Sequence, residues 1–182
     1  MKRIVLIYIL LVSGIVMAES TKIVHLPDGN TVENKVSTID PIPQKIRLLT
    51  SEELQNITSA SRQSQLFVNY YLPDINNPDL KDYDNAFRAW QTSKNKKYSS
   101  QQVVELIGSY LGEKCVKELD MEWVEITDEY GTDRAVRGMR VEITSFPFSV
   151  VSKRIEKNEY EFIYSVFHTI EQMRKDGSYK NR

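Results

Sequence analysis

The sequence predicts an α+β domain: helices, followed by a small antiparallel sheet of two to three strands, then C-terminal helices packing on it. Apolar residues recur at helical spacing from Leu54 through Cys115. After Leu119 the period drops from 3.6 to 2, with Trp123 alternating against Val124 and Ile126. Beyond Pro147 the helical spacing returns. Helices grouped before and after a sheet, instead of alternating with strands, exclude a parallel α/β fold.

The chain has 182 residues, with 24 Lys+Arg against 25 Asp+Glu, two histidines and one cysteine. That length holds one domain with a substantial core. Hydrophobic content of 41% and charged content of 27% exclude a disordered chain and a multi-span membrane protein. Near-neutral charge argues against nucleic acid as a partner, because such binding needs a basic face to displace counterions. A single cysteine excludes a disulfide framework and a cysteine-rich metal site.

Residues 1–18 read as an export signal. Lys2 and Arg3 form a basic start, Ile4 to Val12 is unbroken apolar sequence, and Val16-Met17-Ala18 suits a signal peptidase. Ile4 to Ala18 falls short of the roughly 20 residues that cross a bilayer core, so no membrane attachment is expected after cleavage behind Ala18. Removing Lys2 and Arg3 leaves 22 basic and 25 acidic side chains, a net of about −3. The expected location is periplasmic or secreted.

Residues 19–48 form a leader. Lys22 to Leu26 and Thr31-Val32 flank Pro27-Asp28-Gly29-Asn30, which suits a hairpin turn, while the low apolar content equally suits a mobile segment. The domain proper is expected over 49–182. Thr50 and Glu53 form a capping box with Leu49 and Leu54 as a staple, opening a helix from Ser51 to about Tyr71 that Pro73 and Pro78 end. Tyr83 to Thr92, with Phe87 and Trp90, predicts a second helix, and Lys94 to Lys97 a solvated link. Ser99 caps a third helix with Gln102 in the reciprocal position, and its Gly108-x-x-x-Gly112 pair invites close packing.

Strands are expected around Trp123, at Ala135-Val136 and at Met139 to Ile143, with the loop Asp128 to Asp133 bending at Gly131. Pro147 marks the exit. Phe148, Val151 and Ile155 suit a short helix, and Tyr160 to Arg174 a last one with Phe162, Val166, Ile170 and Met173 inward.

Chemistry-bearing patterns are sparse. Nucleophile elbows, paired zinc histidines and phosphate-binding glycine loops do not occur in the sequence. Cys115 falls on an apolar helix face, where a thiolate is disfavoured. No cofactor or metal is expected. Asp128, Glu129 and Asp133 could bind calcium, but turn chemistry explains them without it. Arg134, Arg137 and Arg140, on a common strand face or edge, could receive an acidic partner. The alternative is internal pairing with Asp128, Glu129, Asp133 and Glu142. Asp128, Asp133 and the three arginines are therefore the candidate binding residues.

Gly108-x-x-x-Gly112, Glu122-Trp123-Val124, Asp128 to Asp133 and Phe146-Pro147-Phe148-Ser149-Val150-Val151-Ser152-Lys153-Arg154 occur in this order. Together they resemble a bacterial domain of unknown function, numbered 3806, over about Ser99 to Asn158. The resemblance implies a compact α+β domain and no established activity. The signature has a physical reading too: Trp123 anchors the sheet on the third helix, Gly131 permits a positive φ, and Phe146 and Phe148 seal the far edge.

The functional expectation is an exported module that binds a protein without catalysis, its ten tyrosines and two tryptophans suiting an interface. The alternatives are an immunity protein masking a toxin, and a carboxylate-dependent hydrolase of the cell envelope using Glu122 and Glu125 or Asp128 and Glu129.

Overall fold

A computed structural model of the chain describes residues 5–7, 18–38, 43–138 and 143–176, with side chains placed within 23–33, 43–138 and 143–175. Three strands come first: β1 (Val5–Ile7), β2 (Ala18–His25) and β3 (Thr31–Thr38). β2 and β3 pair antiparallel, from Ala18 opposite Thr38 to His25 opposite Thr31, and β1 runs parallel to β3 on its other edge. The turn closes because Gly29 adopts φ +82° and Asp28 Oδ1 accepts from the Asn30 amide at 3.1 Å. Val24 and Val32 are fully buried and belong to the main core, while Lys81 reaches Asp28 at 2.9 Å. Those two contacts hold the hairpin against the body.

A fourth strand, β4 (Lys45–Leu48), leads into α1 (Ser51–Tyr71). The expected capping box is present: Thr50 Oγ1 accepts from the Glu53 amide and Glu53 Oε2 from the Thr50 amide. Leu49 is buried, yet its staple partner Leu54 stays 38% exposed. α2 (Leu80–Thr92) begins three residues earlier than the Phe87–Trp90 spacing suggests. Asp79 and Asp82 form a second capping box there, so the helix starts directly after Pro78. α3 (Ser100–Leu119) opens at the Ser99–Gln102 box and ends where Asp120 turns into the left-handed region at φ +51°.

The second sheet has four strands in the order β4-β5-β6-β7, with β5 (Met121–Asp128), β6 (Gly131–Gly138) and β7 (Thr144–Ser145), all neighbours antiparallel. The added strand is β4, which precedes every helix in the chain and pairs with β5 from Lys45–Thr127 to Leu48–Val124. Met139 to Glu142, expected as strand, lie outside the described residues. After the sheet, Pro147 occupies the first turn of α4 (Pro147–Lys157), and α5 (Ile163–Asp176) closes the chain with Phe162, Val166, Ile170 and Met173 all buried.

α3 is the spine. It packs against α1 and α5, α4, and one face of the sheet through β5 and β6. Val103, Ile107, Leu111 and Cys115 are fully buried along it.

Candidate functional site

The signature residues meet at one place on α3. Trp123 rises from β5 onto Gly112, where an added Cβ would lie 2.1 Å from its Cζ2. Phe148, from the first turn of α4, sits on Gly108 in the same way, 2.7 Å from an added Cβ. The two rings lie 5.7 Å apart, so the glycine pair is a socket for the sheet and α4. The indole nitrogen donates to Glu113 Oε1 at 3.0 Å, and Thr58 of α1 donates to the other carboxylate oxygen at 3.5 Å. Trp123 is 4% exposed, so this node is part of the body.

The charged residues of β6 are likewise drawn inward. Arg134 lies over the Phe148 ring, 3.8 Å from its centroid, and donates to Glu105 Oε1 of α3 at 2.8 Å. Its carboxylate comes from a helix, not from the neighbouring turn. Asp133 accepts from its own neighbour's amide and from Ser149 Oγ at 2.5 Å, fastening β6 to α4. Burial pulls the nearby Lys153 ammonium below its ordinary value, against the attraction of Asp133. Asp128 accepts from the Tyr130 amide at 2.9 Å and closes the β5–β6 turn, where Gly131 adopts φ +134°. Arg137 stands directly opposite Glu122. Arg140 lies outside the described residues. The structure thus joins Asp133 and Arg134 at the α3–α4 seam and leaves Asp128 at the far turn.

The Glu122 and Glu125 carboxylates do not converge. Glu122 and Glu125 are three apart on a strand and point to opposite faces. Both Glu125 oxygens accept from Arg47, at 2.8 Å each, and Arg47 also holds Glu53, whose pKa falls to about 2 under that bond and the Thr50 amide. Among the described residues, no three His, Cys, Asp or Glu side chains gather as a metal would require. Burial pushes the Cys115 thiol up to about 12. His168 contacts Glu171 at 2.7 Å within α5.

Asp84 has a role no local pattern announces. It is 5% exposed on α2 and accepts from the Ile163 and Tyr164 amides at 2.7 and 3.0 Å, capping α5 from another helix. Burial outweighs those bonds and raises its pKa to about 6.

A different kind of surface runs along the outer side of α1. After Glu53 this helix contains no acidic residue. Leu54, Gln55, Thr58, Ser59 and Arg62 line a groove of about 310 Å³. One and two turns further on, Leu66 is 62% and Tyr70 50% exposed. Tyr70 abuts the loop between α2 and α3, where Lys97 Nζ sits 4.4 Å from its ring centroid and 5.7 Å from that of Tyr98. Sequence spacing pointed α1's apolar residues inward, so this outer pair was not legible from periodicity. A helix stretch without acids, ending in Leu and Tyr, was the available signal.

The molecule is therefore an α+β domain whose signature residues build its interior. Residues 82–167 match the family described as a domain of unknown function (DUF3806). The match extends the resemblance seen over Ser99–Asn158 to include α2 and the start of α5. No curated protein matches the chain. A crystal structure of a protein from Bacteroides thetaiotaomicron VPI-5482 is similar, with a TM-score of 0.55 at 11% identity over 87% of this chain and 70% of that one. That likeness concerns the fold alone.

Proposed function

We propose that the chain is an exported, non-catalytic module that binds a protein through the outer face of α1. The observation carrying this is the pairing of exposed Leu66 and Tyr70 on a helix face free of acidic side chains beyond Glu53. Aromatic anchors among uncharged neighbours are typical of interface cores, where charge is depleted. The signature groups support the same reading from the other side, since Trp123, Asp133 and Arg134 are each engaged within the body. Export rests on the basic start and apolar run of residues 2–12 with Ala18 behind them. Cleavage there would remove β1 and keep the β2–β3 hairpin from Glu19 onward.

A photo-crosslinking residue at Leu66, in the chain produced with its native leader, is expected to give a discrete protein adduct. The same residue at exposed Glu156 on α4 serves as the control. Identical adducts from both positions would remove the reading. N-terminal sequencing of the mature chain tests export, and an intact Met1 terminus on the cell's main pool would contradict it.

A further inference from the structure

We infer that Leu66, Tyr70 and the lysine loop Lys94–Lys97 together form a docking site for an acidic protein segment carrying an apolar anchor; this deepens the binding role proposed above and rests on it. The argument starts from the loop's rigidity. Trp90 Nε1 donates to the Tyr98 carbonyl at 2.9 Å, Ser93 Oγ to the Asn95 carbonyl at 3.1 Å, and Lys96 Nζ to the Gln91 carbonyl at 2.8 Å. From α1, the Tyr71 hydroxyl accepts the Lys97 amide at 3.4 Å. The loop is thus held in place from both sides, and its form does not await a partner.

Its charge is not compensated in the same way. Lys94, Lys96 and Lys97 are exposed, and none has a carboxylate in salt-bridge contact among the described residues. Lys97 rests on Tyr70 and Tyr98, and Lys96 lies 5.0 Å from the Trp90 centroid. Three like charges within four residues cost folding energy through mutual repulsion, and rings beneath two of them keep those ammonium groups positioned near the surface. Beneath lies a rigid aromatic floor: Phe67 is fully buried and contacts Tyr71 and Tyr98 edge-on or tilted at 5.2 and 5.3 Å. Basic charge beside exposed Leu66 and Tyr70 matches carboxylates beside an aliphatic side chain. Nucleic acid fits less well, because the mature chain is net acidic and the apolar pair offers nothing to phosphates.

The test uses the full mature chain and three probes: a synthetic peptide of glutamates with two leucines, its lysine-for-glutamate counterpart, and a DNA duplex. Backbone amide shifts report the site. The acidic peptide should move the signals of residues 66–71 and 93–98, weaken as salt rises, and bind about tenfold less tightly to a Lys94→Glu/Lys97→Glu chain whose melting temperature is unchanged. Equal binding of the lysine peptide, binding of DNA alone, shifts confined to other elements, or no effect of the charge reversal would each overturn the inference. Retention of the Leu66 crosslink in the charge-reversed chain would leave protein binding standing and remove the acidic partner.

Discussion

At the seam between β6 and α4, Arg134 has Phe148 beneath it and Glu105 at 2.8 Å, while Asp133 is fastened to Ser149. In the loop between α2 and α3, Lys97 has two tyrosine rings beneath it and no carboxylate in salt-bridge contact among the described residues. Both places put a cation on an aromatic ring. Only the first completes the arrangement with an anion of its own. A charge whose ring and counter-ion both come from the fold is spent on architecture. One with its ring alone remains available to an outside anion.

The sharpest way to break this contrast is to attack the architectural side. Trp123→Ala should destabilise the chain by about 3–5 kcal/mol, since it empties a buried site and leaves Glu113 without its indole donor. Gly112→Ala should cost about 2–3 kcal/mol, because the new methyl would fall 2.1 Å from Trp123 Cζ2 and the helix-propensity gain is smaller than that clash. Denaturant unfolding measures both. Wild-type stability in either variant would mean the glycine–tryptophan socket is not what joins sheet to helix.

A smaller effect sharpens the account at Asp84. Removing its carboxylate in Asp84→Ala should cost about 1–3 kcal/mol, as two amides at the start of α5 lose their acceptor. The folded-state pKa of about 6 stands above the ordinary 3.8. The proton-linked part of Asp84's contribution is therefore fully present below pH of about 4 and is lost as pH rises through about 6. Thermal melts across that window should show this decline in the wild type and its absence in Asp84→Asn. Parallel curves would contradict it.

What the sequence made legible was local. The boxes at Thr50–Glu53 and Ser99–Gln102 declare themselves within four residues, and both helices start where those boxes stand. The glycine pair and the Trp strand also announced close packing, which Gly108 and Gly112 realise against Phe148 and Trp123. What depended on distance in the chain was not visible. β4 has only four residues, and its partner strand lies some 78 residues later, at Glu125 opposite Arg47. Asp84 finds its amides 79 and 80 residues away. Arg134 pairs with a glutamate on α3, although acidic residues crowd the nearer turn, because α3 is the layer its side of the sheet rests on. The link at Lys94–Lys97 looked merely solvated, since nothing in four polar residues reveals the rings beneath them.

The decisive comparison is a crossed pair, Arg134→Ala and Lys97→Ala, each measured for melting temperature and for affinity toward the glutamate–leucine peptide. Arg134→Ala should lower stability by about 0.5–1.5 kcal/mol and leave peptide affinity unchanged. Lys97→Ala should leave the melting temperature in place and weaken the peptide severalfold. If both variants moved both quantities together, or if Arg134→Ala alone abolished binding, the division between a compensated seam and an available loop would be wrong.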